Sequence, residues 1–415
     1  MKAPSLGELG ERALAASRCL ASAETAAKDT ALLNGADLLL ANVSEVLEAN
    51  RADTCRAEGA GLPAGVIDRL GLDPSRVEEM ARGLVSVAAL PDPVGEILEG
   101  SRRPNGLVVE RMRVPLGVVG VIYENRPNVT GDAAALCLKA GDAAFLRGSS
   151  AALETNKVIV ALLREGLSKA GLPEDGVILV EDISHETAKE FVQLQGVIDC
   201  LIPRGGPALI SMIREHARVP YILDGDGNCH VYVDGAADLE MAEKIVVNAK
   251  TSRPSVCNAA ESLIVHAAVA EDLLRRLSSS LTGVQLLGDE RVRAILPSVA
   301  PASEDDFARE FLDLAMSVAV VDSLEEAIAH IARYGSGHSE AIVTEDLRSA
   351  RKFVREVDSA AVLVNASTRF VDGGELGLGA EVGISTQKLH ARGPMGLREL
   401  TSVKYVVYGE GQIRT

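Results

Sequence analysis

The stretch PLGVVGVIYENRPNVT, residues 115–130, decides the fold. Its first half, LGVVGVIY (116–123), is a short apolar run bounded by Pro115 and Pro127. A strand with one wet face alternates apolar and polar residues. A continuous run of this length instead suits a strand buried on both faces, as in a parallel sheet covered by helices.

The same rhythm repeats outward from it. A helical stretch at 131–140 leads to AAFLR (143–147), a helix over 151–170 to VILV (177–180), and a helix at 184–194 to IDCLI (198–202), after which a further helix starts near Pro207. Strands alternating with helices in this way predict an α/β fold with a parallel sheet and helices on both faces. NCHVYVD (228–234) and a helix at 238–249 read as the crossing to a second α/β unit. That unit contains SLIVH (262–266), a helix near 268–280, SVAVVD (317–322), a helix at 323–333, EAIVT (340–344) and a strand at 359–364. Upstream, Leu9, Leu14, Leu32, Leu33, Leu39, Leu40, Val43 and Leu47 recur at helical spacing, predicting one or two amphipathic helices, and DPSRVEE (73–79) opens another that closes before Pro91. The β-rich tail has no helix after it, which fits an edge or a subunit contact.

At 415 residues the chain calls for two or three domains. Aromatic residues are 3% with no Trp, and the formal net charge is −17, a poor match to a nucleic-acid surface. Anionic substrates must therefore be met by local cations or helix N-termini. The N-terminus lacks the apolar core of a signal peptide, and no apolar run approaches a membrane span, so a soluble cytoplasmic protein is expected. Cys19, Cys55, Cys137, Cys200, Cys229 and Cys257 form no CxxC pair and read as free thiols in a reducing compartment. The histidines offer no metal spacing, and no metal is expected.

Cys257 stands apart from the other cysteines. Its loop, TSRPSVCNAA (251–260), is polar, stiffened by Pro254 and basic, and it directly precedes an apolar run. Lowering a thiol pKa by about 1.5 units takes roughly 2 kcal/mol of preferential anion stabilisation, for which Arg253, Lys250 and a helix N-terminus are the candidates. A packing role remains equally open on these grounds. IPRGGPALI (202–210) ends a strand, turns on Gly205 and Gly206 beside Arg204, and opens a helix, so its N–H groups could hold a phosphate or form a plain turn. GGELGLG (373–379) joins no strand to a helix and is not read as a dinucleotide loop. His338 and His390 lie in polar loops near other candidates.

Taken together, PLGVVGVIYENRPNVT, SRPSVCNAAESL (252–263), RYGSGHSEAIVTED (333–346) and, above all, VNASTRFVDGGELGLGAEVGISTQKLHARGPMGLRELTSVKYVV (364–407) resemble the aldehyde dehydrogenase superfamily, and within it the branch that reduces γ-glutamyl phosphate. The likeness runs from about residue 8 to the C-terminus. It implies a Rossmann-type NADP-binding domain (1–101 and 115–250), an α/β catalytic domain (251–375), and a small β oligomerisation flap (102–114 and 376–415) whose hairpin pairs with a neighbour's C-terminal strand in a homo-oligomer.

The resemblance also implies chemistry. NADPH reduces γ-glutamyl phosphate to glutamate 5-semialdehyde and phosphate through a thioester on Cys257, the second step of proline synthesis from glutamate. An oxyanion is met by the Cys257 N–H and a side-chain amide, Asn128 in preference to Asn125. Arg147 takes the place of the adenosine-ribose lysine, Ser150 replaces the glutamate of NAD-specific relatives, Glu310 orients the nicotinamide ribose, and Arg204, Gly205 and Gly206 join the cofactor set. For the substrate, Arg126, His390 and Arg392 suit the phosphate, and Arg369 with Asn365 the α-carboxylate. Hydrolytic relatives keep a water-activating glutamate where Leu223 and Asp224 stand, so deacylation by water is not expected, with Asp224 a possible short substitute. No kinase-sized segment precedes residue 107, so a separate glutamate kinase is expected to supply the substrate. The rival readings are a coenzyme A-acylating aldehyde dehydrogenase and a non-catalytic binding protein on the same fold.

Overall fold

Every residue of the strand Val118–Tyr123 is buried, as its unbroken apolar run requires. The architecture around it is seen in a computed structural model, which describes residues 4–223 and 225–414. Asp224, considered above as a substitute base, lies outside the described residues. By internal contacts the chain divides into two units, one built from Met1–Leu223, Leu378–Gly383 and Met395–Thr415, the other from Asp224–Gly377 and Ile384–Pro394.

In the first unit, β1 (Ile97–Arg102) and β2 (Val108–Pro115) form an antiparallel hairpin. The strands β3 (Val118–Tyr123), β4 (Ala143–Arg147), β5 (Val177–Leu179) and β6 (Cys200–Arg204) form a parallel sheet in the order β5-β4-β3-β6. Chain order runs outward from β3 to β5 and then crosses back to β6. The carboxyl ends of β3 and β6 therefore flank a topological switch point, the usual place for a ligand crevice in such sheets. The N-terminal region forms more helices than its periodicity predicted: Leu6–Leu20, Thr25–Ala41 and Val43–Gly59. The last two part at Asn42, whose backbone leaves the helical region while its side chain donates to the Leu38 carbonyl. Thr25–Ala41 crosses Leu153–Lys169 backbone to backbone, since a Cβ on Gly166 would lie 2.9 Å from the Gly35 nitrogen.

The second unit holds β7 (Cys229–Val233), β8 (Ala260–His266), β9 (Gln285–Gly288), β10 (Ala300–Pro301), β11 (Ala315–Val321), β12 (Ser339–Val343) and β13 (Ala361–Val364). They pair in parallel in the order β10-β9-β11-β8-β7-β12-β13. Val231, Val233, Leu263, Val265, Val318 and Val320 face one layer of core, with Leu273, Leu274 and Leu277 of the helix Ala267–Ser280. Tyr232, Ile264 and Ile342 face the other, against Phe353. Burying each such side chain stabilises the fold by about 1.5–3 kcal/mol, and covering both faces explains why these strands read as continuous apolar runs.

Two expectations need correction. The unit break falls near residue 224, not at 250. NCHVYVD and the helix Leu239–Thr251 belong to the second sheet, because β7 pairs with β8 and β12. And β2 pairs antiparallel, from Val108 to Pro115, with the C-terminal strand Thr401–Tyr408 of the same chain, where a neighbour's strand was expected. Among the described residues no helix is long and apolar enough to cross a membrane, and no cluster of His, Cys, Asp and Glu has the arrangement of a metal site.

Candidate active site

The loop that carries Cys257 lies between the helix Leu239–Thr251 and β8, so it precedes the amino end of the sheet's middle strand. The loops before β7, β11 and β12 reach the same end and bring Gly227, Glu310 and His338. The fit is tight. A Cβ on Gly227 would lie 1.7 Å from the Cys257 carbonyl oxygen, so only a hydrogen fits there. The Gly227 N–H donates to Glu310 Oε1 at 2.7 Å. Asn228 is clamped by its own N–H to Ser336 Oγ at 3.1 Å and by Nδ2 to the Phe307 and Tyr334 carbonyls at 2.8 and 2.7 Å. The buried Cys229 thiol donates to the Cys257 carbonyl at 3.1 Å and lies 3.6 Å from His338 Nδ1. Burial pushes the Cys229 thiol well up and His338 down to about 4, so the pair stays neutral near neutral pH. Cys257 itself is only partly buried and carries no disulfide.

Arg369, expected at the substrate's α-carboxylate, is a cation that the structure brings towards Cys257. Its Nε donates to Ser252 Oγ at 3.1 Å. Burial first, then the like charge of Arg253, holds it below the usual arginine value, while Asp372 and Cys257 act the other way. The guanidinium therefore lies within electrostatic reach of both Arg253 and the thiol. Lys250 does not serve the thiol: its ammonium is fully buried against Glu261 Oε2 at 2.6 Å. Asn365 is also redirected. It follows β13 at the carboxyl end of the sheet, opposite the Cys257 loop, where Oδ1 accepts the Thr344 N–H and Nδ2 donates to the Thr344 carbonyl, both at 2.9 Å. Its amide thus closes a strand end in place of pairing with a carboxylate. Arg392 Nη2 donates to the Asp358 carboxylate and carbonyl at 3.0 and 3.1 Å, and Lys388 pairs with the same carboxylate, so Asp358 offsets the charge meant for phosphate. A groove of about 400 Å³ borders Arg392, Lys388, Thr386 and Ser336. His390 is exposed in the same loop.

In the first unit the cofactor candidates gather at the carboxyl ends of the sheet. Arg147 ends β4, is 9% exposed, and donates from Nη2 to the Ser184 carbonyl at 2.8 Å. Its Nε is buried without a hydrogen-bond partner, and burial holds its pKa below the usual arginine value. Ser150 is exposed at the start of a short turn, where its carbonyl accepts from Arg56 at 3.4 Å. At the switch point, Arg204 ends β6 and Gly206 caps the helix Pro207–His216. The Gly206 N–H expected to hold phosphate instead donates to Glu124 Oε2 at 2.9 Å, and a Cβ on Gly205 would lie 2.7 Å from the same oxygen. Sequence reasoning passed over Glu124, though a carboxylate directly after a buried strand was a signal. Of the two amides, Asn125 has positive φ (45°) and its Oδ1 accepts from Ser149 at 3.0 Å. Asn128 is exposed at the start of the helix Asn128–Ala140 and gives an amide hydrogen to Asp132 at 3.2 Å. Burial raises Asp132 to about 6. The partly buried Arg126 opens the turn into that helix, its carbonyl accepting the Val129 N–H at 3.1 Å.

Comparison with known proteins places the chain by family and fold. Residues 14–312 match the model of the aldehyde dehydrogenase family. The γ-glutamyl phosphate reductase of Syntrophomonas wolfei is 53% identical over 99% of this chain and 98% of its own length. That of Thermobifida fusca is 53% identical over 98% of each. The crystal structure of γ-glutamyl phosphate reductase from Thermotoga maritima superposes with a TM-score of 0.97 at 46% identity, covering 99% of this chain and all of the other. An acetylating aldehyde dehydrogenase from Geobacillus thermoglucosidasius, 16% identical, shares the fold at a TM-score of 0.71, covering 98% of this chain and 97% of that one.

Proposed function

The chain belongs to the aldehyde dehydrogenase family, and from that premise we propose that it reduces γ-glutamyl phosphate to glutamate 5-semialdehyde, the second step of proline synthesis from glutamate. The observation that carries this reading is the seating of Cys257 among Gly227, Glu310 and Arg369 at one end of a rigid sheet. The Cys257 thiolate attacks the acyl carbon, with the Cys257 N–H as one oxyanion donor and Asn128 as our candidate for the other. The acyl C–O bond breaks, phosphate departs, and a thioester remains. Phosphate needs little protonation to leave, so the reaction asks for no strong general acid. Reduction leaves a thiohemiacetal on Cys257, which collapses to release the aldehyde and restore the thiol.

A nicotinamide cofactor supplies the hydride, and NADP(H) is the form we propose. Fit is supported by the buried, unpartnered Nε of Arg147 and by the switch point between β3 and β6. Ser150 puts no carboxylate against a 2′-phosphate. Arg204 and the Gly205–Gly206 turn suit the linking phosphates once the Glu124 carboxylate turns aside. Glu310 is the candidate for the nicotinamide ribose. For the substrate, Arg369 is assigned the α-carboxylate, with Arg126, His390 and Arg392 as the candidates for phosphate. A separate kinase would supply the acyl phosphate. The exposed Val403, Tyr405 and Val407 of the C-terminal strand suit contact with a second copy.

The test is the reverse reaction: reduction of NADP⁺ by glutamate 5-semialdehyde with and without phosphate, and with coenzyme A in its place. Strict phosphate dependence, lost in Cys257→Ala, is expected. Turnover sustained by water or coenzyme A would overturn the acyl-phosphate reading.

A further inference from the structure

A second cysteine touches the nucleophile's backbone and has no part in the chemistry above. Cys229 opens β7 with 0% exposure. Its thiol donates to the Cys257 carbonyl at 3.1 Å, across 28 residues of chain. Gly227 packs against the same carbonyl so closely that any side chain there would overlap the oxygen. The Cys257 carbonyl therefore meets a donor and a steric wall, both from the segment 227–229. That segment is in turn fixed by Glu310, Ser336 and the Phe307 and Tyr334 carbonyls.

We propose that Cys229 is a positioning residue, whose S–H sets the direction of the Cys257 carbonyl and with it the backbone from which the nucleophile projects. This rests on Cys257 being the nucleophile. The carbonyl direction fixes ψ of Cys257, so a rotated peptide would carry the thiol away from its line of attack. An S–H is a weak donor, but Cys229 is fully buried, and a hydrogen bond made in such surroundings is costly to lose, which gives it leverage.

Cys229 is suited to donating and unsuited to attacking. Burial and the nearby Glu340 charge keep it protonated. The groups that act on its sulfur are His338 Nδ1 at 3.6 Å, the Cys257 carbonyl and the Ser339 N–H, with Glu340, Cys257 and Glu261 within electrostatic reach. His338 Nδ1 also meets Ser339 Oγ at 2.8 Å, and burial keeps the ring neutral. Glu340 is itself engaged by the His230 N–H and ring at 2.8 and 3.0 Å. The charges within reach, on Glu340, Glu261 and the Cys257 thiolate, are all negative and all favour the protonated thiol, so the S–H donor should persist as Cys257 ionises.

The experiment compares Cys229→Ala and Cys229→Ser with the parent enzyme in the reverse reaction. Alongside it, the rate of Cys257 alkylation by iodoacetamide is followed against pH by peptide mass spectrometry. We expect Cys229→Ala to lower kcat about tenfold, between the worth of one hydrogen bond and the cost of a misplaced nucleophile. KM for NADP⁺ should hold, and the alkylation profile of Cys257 should shift. Cys229→Ser, which restores a donor, should recover most of kcat and the parent profile. Equal impairment of the two variants, or an unchanged alkylation profile in Cys229→Ala, would overturn the proposal in favour of plain packing. Thermal unfolding of both variants separates loss of fold from loss of position, and if Cys229→Ala does not fold the serine variant still decides through its profile. Cys257→Ala is the separate control: turnover that survives it would remove the nucleophile reading itself, whatever Cys229 does.

Discussion

The Glu124 carboxylate accepts the Gly206 N–H at 2.9 Å, placing a negative charge at the N-terminus of the helix Pro207–His216. That position favours anions, so the carboxylate stabilises the helix while competing with a cofactor phosphate for the same donor. Glu124→Gln keeps the acceptor and removes the charge. The expected result is a KM for NADP⁺ lower by about threefold, in keeping with a modest surface charge effect. Unfolding temperature should fall by about 1–3 °C. Steady-state kinetics and a thermal scan check both, and a KM that rises would mean that Glu124 helps to hold the cofactor.

Arg369 offers a planar fork near Cys257, anchored through Nε by Ser252. A lysine there keeps the charge but loses both the anchor and bidentate pairing. Arg369→Lys should raise KM for glutamate 5-semialdehyde about tenfold, with a smaller change in kcat, because the lost contact is made equally in the ground and transition states. A change confined to kcat would place Arg369 on the reacting centre instead of the α-carboxylate.

The fold was legible where burial on both faces leaves a local mark. Val118–Tyr123 is apolar throughout, Ala143–Arg147 and Cys229–Val233 are apolar but for Arg147 and His230, and each is buried along its length. What a run of that kind does not record is which sheet it joins. Cys229–Val233 reads the same whether it closes one unit or opens the next, and only its pairing with Ala260–His266 places it. The brief strand Ala300–Pro301 and the four-residue helix Glu304–Phe307 carry no period to detect. For the site, the polar, basic loop set Cys257 apart, and the family resemblance made it the nucleophile and added Arg369 and Glu310. They were silent on partners brought from far along the chain. Lys250 is near Cys257 in sequence but spends its charge on Glu261, Asn365 spends its amide on Thr344, and Glu124 reaches Gly206 across 82 residues.

Asp142 carries a pH signature. It is fully buried; Oδ1 accepts the Gly117 N–H at 2.8 Å and Oδ2 has no partner. Burial raises its pKa well above the ordinary 3.8, the Asp199 charge adds to this, and the N–H bonds oppose it only in part. A carboxyl whose folded pKa is raised binds its proton more tightly when folded. Its contribution is fully present below the ordinary value and is lost as pH rises towards the folded one. Asp142→Asn keeps the acceptor for Gly117 and cannot ionise. Urea unfolding of variant and parent from pH 4 to pH 8 should show the difference moving steadily in the variant's favour. A constant difference would mean that Asp142 titrates as in the unfolded chain.

Lys250 and Glu261 make the sharper test of whether a nearby cation activates Cys257. Both side chains are fully buried, 2.6 Å apart, and Glu261 Oε1 also accepts the Leu312 N–H at 3.1 Å. Burial pushes Glu261 up to about 7 even with the ammonium opposing it. Without Lys250 the carboxyl would be driven higher still and would enter the fold protonated. Lys250→Met should then cost little near pH 5, where Glu261 is protonated in the folded state anyway. The cost should grow as pH rises through neutrality, approaching about 3 kcal/mol, the low end for breaking a buried ion pair. Adding Glu261→Gln removes the ionisable group while keeping an acceptor for Leu312, so the double variant should recover most of the stability and lose the pH dependence. Alkylation of Cys257 in the double variant should keep the parent's rate and pH profile, since Lys250 spends its charge on Glu261. If alkylation instead slows or its profile moves to higher pH, the ammonium acts on the thiol from its buried site, and Arg369 is not the cation that matters.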